Sequence, residues 1–504
     1  MKSPIRIGAR KSDLARLQAV TVADLLKKKW PALQVEFFFS ESLGDKNQTN
    51  PLWKMPEKGV FTSDLSEGLK EGRYDLVVHS WKDLPLESDS TVLGCPPRED
   101  ARDVVLFRKN DLQQWQRGGS LVVLSSSPRR ERNLESFLKT YLPHPPKDVR
   151  FVPVRGNIPT RLQKLLKAES GAQALVIARA ALLRLLSAES SEFQSVRHEI
   201  DTNLQECLQM VVPLSINPAA PAQGALALET RAHDPQMESL LAPILCATST
   251  EQVRSERTEL AKHGGGCHQK IGVSVESTPW GSLKTVRGLT SSGQVLDERA
   301  WLRDRPQAKD SQPFIPWSTR LAGVTLFGRE PIASATARIS QAPEGPWYVS
   351  HPDAWPLDLQ PDRSDLRSPR IWCSGLMTWR KLAQRGFWVE GCDDSLGESL
   401  PPGFTKLGHV DSPELGAGLA TYRLIPLPVS NPRKDWKIDG KTHFFWKSIS
   451  QFERVSQSCP EILEMHHACG PGSTARALRD RVRSLEVCLD EADWWRHHGI
   501  KSPI

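Results

Sequence analysis

The sequence has 504 residues, more than one hydrophobic core usually spans, and its length predicts about three to five domains. Hydrophobic residues make up 39% and charged residues 25% of the chain, which excludes intrinsic disorder as its general state. The formal net charge of +7 is far smaller than that of a typical nucleic-acid-binding protein, but it is compatible with small acidic substrates.

The cysteine pattern indicates a reducing environment. The nine cysteines are scattered along the chain without a C-x-x-C pair, so the sequence predicts neither a disulfide framework nor a zinc site. The first residues contain no apolar signal segment, and no run of about 18 apolar residues occurs. We therefore expect a cytoplasmic protein without a bound metal, and we expect a monomer that binds neither membranes nor nucleic acids.

Short apolar runs alternate with amphipathic helical runs in the first third of the chain. The runs that predict buried strands cover residues 5–8, 76–78, 121–124, 152–154 and 174–177. Each is followed by polar or glycine-containing residues and then by a helical pattern, which favours α/β units with mixed, largely parallel sheets. Because ligands bind beyond the carboxyl ends of such strands, these loops are the first candidates for a functional site.

The loop after the predicted strand at 121–124 combines a helix start with two arginines. Ser127 is a typical N-cap residue, and Pro128 suits the first position of the helix. A helix N-terminus attracts anions, and Arg129 and Arg130 add guanidinium groups that can bind a carboxylate through two parallel hydrogen bonds. The alternative is a solvated surface pair, which is the commoner situation for an isolated Arg-Arg sequence.

Arginine recurs at the ends of the other predicted strands, which weakens that alternative. These further residues are Arg10 with Ser12 after the first strand, Arg155 and Arg161 after the strand at 152–154, and Arg184 after the strand at 174–177. Several strand ends thus present positive charge toward one edge of the fold. The pattern indicates a substrate with several carboxylates.

An acidic residue lies in the turn after the predicted strand at 76–78. Ser80, Lys82 and Asp83 follow this strand directly. The Asp83 carboxyl is a candidate proton donor or a stabiliser of a developing cation, and its protonation depends on the balance between burial and the nearby Lys82. A Lys-Asp surface turn is the commoner alternative, and sequence alone does not decide between the two.

Two further loops carry candidate residues. Lys54 and Lys58 lie in a Gly/Pro-containing stretch that predicts a loop, with solvated lysines as the alternative. Residues 264–266 are three glycines directly before Cys267, and they leave the backbone around this thiol open to close approach. A thiol in such a loop suits the attachment of a covalent group, whereas a lone cysteine is usually structural.

The pattern changes after residue 240. One predicted helix followed by two strand-like runs indicates a small α+β domain over residues 240–332. Beyond about residue 340 the sequence is rich in Trp and Pro, and candidate strands at 371–373 and 444–446 predict an additional α/β domain over 340–504.

Taken together, these residues resemble the porphobilinogen deaminase family over roughly residues 4–332. The matching motifs are R-I-G-A-R-K-S (6–12) with Gln18, K-M-P-E-K-G-V-F (54–61), H-S-W-K-D-L-P (79–85), R-E-D-A-R-D (98–103), S-S-S-P-R-R (125–130), R-G-N (155–157) with T-R (160–161), A-Q-G-A (222–225) and G-G-C (265–267). The resemblance implies an α/β fold with two lobes like those of periplasmic binding proteins, formed by residues 1–100 with 207–232 and by residues 101–206. The α+β domain over 240–332 would then carry the cofactor.

The resemblance further implies a hydroxymethylbilane synthase, a transferase of tetrapyrrole and haem biosynthesis. Its cofactor is dipyrromethane, held here by a thioether to Cys267, and four porphobilinogens are added to its free end with release of ammonia before hydrolysis frees hydroxymethylbilane. Asp83 is the expected catalytic residue, which assists deamination and stabilises the resulting azafulvenium. The residues expected to bind cofactor or substrate are Arg10, Ser12, Lys54, Lys58, Ser80, Lys82, Ser126, Ser127, Arg129, Arg130, Arg155, Arg161 and Arg184.

Residues 340–504 resemble part of the uroporphyrinogen-III synthase family, with about one lobe covered. The motifs are W-C-S-G (372–375), T-Y-R (421–423), F-F-W-K-S (444–448) and G-P-G-S-T-A (470–475). Three hypotheses stay open for this region: a working cyclase that makes the chain bifunctional, a degenerate structural domain, and an interaction module for hand-over of hydroxymethylbilane to uroporphyrinogen-III synthase. Because that family binds its substrate between two lobes, a single lobe favours the second and third hypotheses.

The alternative for the whole chain is a non-enzymatic anion-binding protein built on the same lobes. The glycine loop before Cys267 argues against it, because a protein that only binds anions needs no covalent anchor.

Overall fold

The computed structural model describes residues 4–41, 63–86, 91–111, 118–264, 269–302, 313–342, 345–361, 369–397, 399–412 and 414–501. The chain forms two compact units, which we call the N-terminal unit (Met1–Ser277 with Ser282–Trp301) and the C-terminal unit (Thr278–Gly281 with Leu302–Ile504). Within the described ranges, no helix is both long and apolar enough to cross a membrane.

The secondary structure of the N-terminal unit alternates strands and helices. The strands are β1 (Ile5–Arg10), β2 (Val35–Ser40), β3 (Leu76–Ser80), β4 (Thr91–Gly94), β5 (Asp103–Arg108), β6 (Ser120–Leu124), β7 (Asp148–Val152), β8 (Ala174–Ala178), β9 (Cys207–Val211), β10 (Leu226–Thr230), β11 (Lys270–Thr278), β12 (Gly281–Leu289) and β13 (Val295–Trp301). The helices are α1 (Asp13–Lys29), α2 (Ser63–Lys70), α3 (Pro128–Tyr141), α4 (Ile158–Leu166), α5 (Arg179–Leu186), α6 (Gln194–Gln205), α7 (Pro235–Leu241) and α8 (Ala247–Ala261). Short 3-10 turns cover Trp81–Asp83, Lys109–Asp111, Glu169–Gly171, Ser191–Phe193 and Ala242–Ile244.

Two five-stranded sheets with the same strand arrangement form two lobes. Their orders are β2-β1-β3-β10-β4 in the first lobe and β7-β6-β8-β5-β9 in the second. In the first lobe β1 runs parallel to β2 and β3, and β10 is antiparallel to its neighbours. In the second lobe β6 runs parallel to β7 and β8, and β5 is antiparallel to its neighbours. The predicted α/β class with mixed, largely parallel sheets is confirmed.

Apolar side chains explain why helix α1 packs on the first sheet. Val22, Ala23 and Leu26 lie on its buried face and join Ile7 and Leu76 in the core of the first lobe. Their spacing of one and four residues places them on one face of a helix. Burial of a side chain of this size stabilises the fold by about 1.5–3 kcal/mol, so Leu26→Ala would weaken this contact directly.

One strand belongs to a different lobe from the one that the sequence predicted. Residues 207–211 form β9, which pairs with β5 in the second lobe, whereas the sequence placed residues 207–232 in the first lobe. Of that stretch, β10 joins the first sheet by pairing with β3 and β4. Antiparallel pairing between strands about 100 residues apart leaves no local sequence pattern, which is why the boundary was misplaced.

A small α+β region follows the two lobes. Strands β11, β12 and β13 form a three-stranded sheet in that order, and β12 is antiparallel to β13. Leu260 of α8 packs with Ile271, Val273 and Val286 in the core of this region. The predicted helix and strands are therefore present, but the compact unit ends at Trp301 rather than at residue 332.

The C-terminal unit also alternates short strands and helices. Its strands are β14 (Pro316–Ser318), β15 (Phe327–Pro331), β16 (Trp347–Val349), β17 (Ile371–Cys373), β18 (Gly391–Cys392), β19 (Thr405–His409), β20 (Leu419–Pro426), β21 (His443–Trp446), β22 (His466–Cys469) and β23 (Ser484–Val487). Its helices are α9 (Thr319–Ala322), α10 (Ala333–Gln341), α11 (Leu376–Gln384), α12 (Pro432–Asp435), α13 (Ile449–Ser458), α14 (Ser473–Leu478) and α15 (Glu491–His497), with 3-10 turns at Pro352–Ala354 and Pro460–Glu464.

This unit contains two sheets, although the sequence motifs of this region cover about one lobe of the family that they resemble. One sheet has the order β14-β21-β22-β23, with all its strands parallel. The other has the order β15-β20-β19-β16-β17-β18, in which β15 alone is antiparallel to its neighbour. Strand β14 lies in the stretch that was predicted to belong to the α+β domain. A strand of three residues carries too little pattern to predict pairing with a partner more than 100 residues away.

Candidate functional site

A cavity of about 790 Å³ in the N-terminal unit brings most of the predicted site residues together. The predicted residues that line it are Arg10, Ser12, Ser80, Lys82, Asp83, Arg130, Arg155, Arg161 and Arg184. They follow β1 and β3 in the first lobe and β6, β7 and β8 in the second, so strand ends from both lobes meet at this cavity. Its size is within the range typical of small-molecule sites.

Asp83 ends the 3-10 turn that follows β3, and its carboxylate lies in the cavity. The turn is held by the buried Trp81, whose N–H donates to the Ala225 carbonyl oxygen (3.0 Å). Arg10 Nη1 lies 3.8 Å from Asp83 Oδ2, an ion pair that is too long for a hydrogen bond. The Asp83 side chain is 34% exposed, so it is accessible from the cavity.

The strand before Asp83 is fixed from behind by buried polar contacts. His79 Nε2 lies 2.6 Å from Glu229 Oε2, and Ser66 Oγ donates to Glu229 Oε1 (3.0 Å). Both His79 and Glu229 are buried, so His79 packs within the core of the first lobe. Ser80 Oγ exchanges hydrogen bonds with the Gln18 amide at 3.0 and 3.2 Å, which fixes the hydroxyl at the cavity wall.

Two arginines of the second lobe line the cavity without forming an ion pair with a carboxylate of the described residues. Arg161 Nε donates to the Gly156 carbonyl oxygen (2.7 Å) and Arg184 Nη2 to the Gly224 carbonyl oxygen (2.5 Å). Burial lowers the pKa of each guanidinium to about 10. Neighbouring cations add to this effect for Arg161, whereas the Glu99 carboxylate opposes it for Arg184. A bound anion would relieve this destabilised charge.

The two adjacent arginines of helix α3 both bind Asp103, but only one of them also lines the cavity. Its buried carboxylate accepts hydrogen bonds from Arg129 Nη2 (2.9 Å) and from Arg130 Nε (3.0 Å) and Nη2 (2.7 Å). Arg130 also lines the cavity, whereas Arg129 points away from it and donates to Asn217 Oδ1 and the Pro218 carbonyl oxygen. Arg129 therefore links the N-terminus of helix α3 to Asn217 and Pro218.

Two predicted serines also lie outside the cavity lining. Ser126 Oγ donates to the Val154 carbonyl oxygen (2.7 Å) and accepts from Val154 N–H (2.8 Å), which joins the loops after β6 and β7. Ser127 caps helix α3 by accepting from Arg130 N–H (3.5 Å), as the sequence predicts. Lys54, Lys58 and Cys267 lie outside the described residues.

Several residues at or near the cavity received no role from the sequence pattern. Gln18 and Gln223 line it, and Lys11 and Lys164 extend its basic surface. Both glutamines stood within the quoted motifs, where an uncharged side chain gives no electrostatic signal. Their burial and hydrogen bonds, which only the fold provides, reveal their importance.

The C-terminal unit has its own cavity of about 400 Å³. It lies at the carboxyl ends of β14, β21, β22 and β23, and its polar lining includes Arg320, Lys447, Ser473, Thr474 and Glu491. Ser318 Oγ donates to Glu491 Oε1, and Lys447 Nζ lies 3.9 Å from Glu491 Oε2. Two of the C-terminal sequence motifs, at 444–448 and 470–475, thus contribute residues to one site.

Two lobes with the same strand arrangement and a cationic cavity at their strand ends, followed by a small α+β region, define a two-lobed protein whose cavity suits an anionic ligand. Residues 5–239 match the family described as "Porphobilinogen deaminase, dipyromethane cofactor binding domain". The chain belongs to the porphobilinogen deaminase family, and dipyrromethane is its cofactor. The resemblance of the N-terminal motifs to porphobilinogen deaminase is therefore confirmed.

Curated relatives cover the same part of the chain. Porphobilinogen deaminase from Mycobacterium marinum is 34% identical over 327 residues, which are 64% of this chain and 90% of the relative. The enzymes from Moorella thermoacetica and Synechococcus elongatus are 32% and 33% identical and cover 61% and 62% of this chain, with 89% and 88% of their own lengths matched. Among solved structures, the aliphatic sulphonate binding protein SsuA from Escherichia coli is 15% identical over 53% of this chain and 76% of its own, but its TM-score of 0.25 is too low to bear on the fold.

Proposed function

We propose that the N-terminal unit is a hydroxymethylbilane synthase that condenses four porphobilinogens with release of ammonia. The observation that supports it best is the cavity in which cations of both lobes surround the Asp83 carboxylate. In each cycle the C–N bond of the substrate's aminomethyl group breaks and ammonia leaves. A C–C bond then forms to the free carbon of the terminal pyrrole, and this carbon loses its proton.

The cations bind the carboxylates of the substrate and of the growing chain. Each porphobilinogen carries an acetate and a propionate, and an arginine can hold either one through two parallel hydrogen bonds. Arg161 and Arg184 are suited to this role because they line the cavity and neither forms an ion pair with a carboxylate among the described residues. The hydroxyls of Ser12 and Ser80 add neutral donors at the first lobe.

Asp83 stabilises the positive charge that develops on the substrate when ammonia leaves. A carboxylate next to a pyrrole nitrogen accepts its N–H hydrogen bond, and the bond strengthens as the nitrogen becomes positive. Arg10 keeps Asp83 in place without a hydrogen bond that would compete with the substrate. Lys82 and Arg130 hold substrate carboxylates nearby and orient the reacting carbon.

Dipyrromethane, when bound, supplies the pyrrole end on which the chain grows. We propose that the Cys267 thiol holds it by a thioether and that Lys54 and Lys58 contact it. The cavity fits such a group, because Arg161 and Arg184 in its lining are suited to carboxylates. Ser126, Ser127 and Arg129 are proposed to act indirectly, since their polar atoms contact protein groups.

The attachment is tested by mass spectrometry of the intact protein. The wild type is expected to carry the mass of dipyrromethane, and Cys267→Ser is expected to lack both this mass and activity. Cys207→Ala is the control, because burial raises the pKa of the Cys207 thiol to about 12 and makes it a poor nucleophile. Cofactor retained in the Cys267 variant would contradict the assignment, and a wild type that turns over no porphobilinogen would favour the non-enzymatic alternative.

We further propose that the C-terminal unit is a uroporphyrinogen-III synthase that receives hydroxymethylbilane and closes it. Its two sheets remove the objection that only one lobe is present. The cavity at the carboxyl ends of β14, β21, β22 and β23 supports the proposal, because residues of the 470–475 motif line it. Ser473 and Thr474 offer hydroxyl groups there for substrate carboxylates.

The second activity is tested by the isomers formed from porphobilinogen alone. Porphyrins are oxidised and separated after incubation with wild type and with Thr474→Val in the full chain. Mostly isomer III from the wild type, with a shift toward isomer I in the variant at unchanged porphobilinogen consumption, is expected. Mostly isomer I from both would refute the cyclase and favour a structural domain or an interaction module.

The chain is proposed to work as a cytoplasmic monomer. The eight cysteines in the described ranges are free thiols, which supports a reducing compartment. Analytical ultracentrifugation of the purified protein tests the oligomeric state, and a sedimentation coefficient of a dimer would contradict it.

A further inference from the structure

Gln223 lies where the chain passes from the second lobe into β10, and it is 1% exposed. Its backbone is fixed, since its carbonyl oxygen accepts from Arg98 Nε (2.8 Å) and its N–H donates to the Ala220 carbonyl oxygen (2.8 Å). The next residue, Gly224, has φ +88°, and a Cβ there would lie 2.5 Å from the Glu99 carbonyl oxygen. The side chain therefore projects from a backbone that has little freedom.

Hydrogen-bond chemistry determines the orientation of the Gln223 amide. Its Nε2 donates to the Ala101 carbonyl oxygen (2.7 Å) and to Asp103 Oδ1 (2.9 Å), neither of which can donate in return. The amide oxygen consequently faces Lys82 Nζ, which donates to it at 3.3 Å. One side chain thus links the turn after β3 in the first lobe to the start of β5 in the second.

The charges around Lys82 come from its own turn and from the second lobe. Burial lowers the pKa of the Lys82 ammonium, and the Asp83 carboxylate beside it opposes this effect. Arg130 and Arg129 on helix α3 lower the pKa further, while Asp103 at the start of β5 raises it.

A neutral acceptor suits this balance of charges. An amide oxygen holds the ammonium without neutralising it, so the charge of Lys82 stays available to a substrate. A carboxylate at position 223 would instead face Asp103, which is already bound by both arginines.

We propose that Gln223 is a positioning residue that orients the Lys82 ammonium toward the cavity and couples it to the Asp103–Arg130 ion pair. Lys82 and Arg130 then present a preformed pair of cations, one from each lobe, to a carboxylate of the substrate. The inference rests on the proposed condensation of porphobilinogen and extends it to a residue that touches no reacting atom.

The test uses two variants with opposite expected effects on Lys82. Gln223→Glu places a carboxylate near Nζ and favours the charged form, whereas Gln223→Met keeps the length of the side chain and removes the acceptor. In cofactor-loaded full-length protein, the alkaline limb of kcat/KM is expected to move up by about 0.5–1 pH unit in Gln223→Glu and down by a similar amount in Gln223→Met. KM for porphobilinogen at pH 7 should rise about tenfold in Gln223→Met, with a much smaller change in kcat.

Two controls separate positioning from a general loss of structure. Lys82→Gln should abolish the alkaline limb that moves in the other variants. Gln163→Met on helix α4 removes an exposed amide that donates to Glu199 Oε1 (2.7 Å) outside the cavity, and it should keep the wild-type profile. Thermal unfolding measures folding of each variant, and if Gln223→Glu does not fold, the direction of the shift in Gln223→Met decides.

An alkaline limb that stays at the wild-type pH in an active Gln223→Met variant would overturn the role of Gln223. A wild-type enzyme that consumes no porphobilinogen would instead refute the proposed function. The two failures are therefore distinguishable.

Discussion

Replacing Asp103 with asparagine should destabilise the second lobe strongly. The carboxylate is fully buried and accepts bonds from Arg129, Arg130, Asn217 and Gln223 at 2.7–3.0 Å. The asparagine side chain would keep one acceptor oxygen but present an N–H₂ group to two buried guanidiniums. Removing one partner of a buried ion pair costs about 3–5 kcal/mol, since the remaining charge is left uncompensated.

The loss should also depend on pH in a defined direction. Burial alone would raise the pKa of the Asp103 carboxyl, but Arg130 and Arg129 hold it far below its ordinary value. The stabilisation is therefore complete above the ordinary pKa near 4 and decreases as the pH falls below it. The difference between wild type and Asp103→Asn should be largest near neutral pH and smaller at pH 3.

Hydrogen exchange read by mass spectrometry at β5 and α3 measures this effect locally. Exchange there should be faster by about a hundredfold to several thousandfold in Asp103→Asn. Asp148→Asn is the matched control, because Asp148 is 59% exposed and lies 3.9 Å from Lys139, a surface pair worth less than about 1 kcal/mol. Equal exchange in the two variants would refute the view that Asp103 is a buried anchor.

Three further predictions address the site and the C-terminal unit. Asp83→Asn should fold and bind porphobilinogen but barely elongate the chain in a single-turnover assay, and wild-type turnover would exclude the catalytic role. Arg161→Gln should raise KM by about 10- to 100-fold through loss of a charged hydrogen bond, while Arg150→Gln at an exposed position should not. His467 accepts from Trp446 Nε1 (2.9 Å), and burial lowers its pKa to about 4, so the C-terminal unit should lose up to about 3 kcal/mol as pH falls from 6.5 to 4. His467→Gln should reduce this slope in thermal unfolding at pH 7 and pH 5 by the share of one histidine, because burial also lowers the pKa of His351 and His409 in the same unit. An unchanged slope would contradict the prediction.

The loops that line the N-terminal cavity could be predicted because the apolar strands and the charged residues that follow them are adjacent in the sequence. Strands β3, β6 and β8 have continuous apolar sequences, and each is followed by charged residues at a turn or helix start. Such a pattern fixes which end of the strand carries the charge. Parallel pairing brings the ends of β1 and β3 together in the first lobe and the ends of β6, β7 and β8 together in the second. That both sets of strand ends line one cavity, with Arg10, Asp83 and Arg130, depends on the fold and not on pairing within either sheet.

The different roles of Arg129 and Arg130 were not predictable from the same pattern. Successive residues at a helix start point about 100° apart, so only one of two adjacent arginines faces a given cavity. Their shared partner Asp103 lies at the start of β5, which is the first strand of the second lobe along the chain. The position of β5 depends on its long-range antiparallel pairing with β8 and β9. Sequence identifies both cations, but the fold determines which one stays available to a ligand.

The border between the two units near residue 302 was not predicted, for a related reason. Strand β14 has three residues, and its partner β21 begins at His443. The sequence over residues 303–320 is rich in Pro, Asp, Gln and Ser, which predicts a loop inside or at the edge of the α+β domain and gives no periodic pattern that would predict a new sheet. Because β14 pairs with β21, the C-terminal unit begins before the strands at 371–373 and 444–446 that were predicted for it.

The two cavities differ in charge, and the difference is compatible with the two reactions proposed for the two units. Basic side chains clearly outnumber acidic ones in the described lining of the N-terminal cavity, which suits a growing chain that gains carboxylates at every step. In the C-terminal cavity Arg320 and Lys447 are balanced by Asp490 and Glu491. A polycarboxylate bound there would depend on neutral donors such as Ser473 and Thr474, and it would be held less tightly and by shape more than by charge. Strong retention is needed where a chain is extended repeatedly, whereas a site that acts once on a released product must let it go.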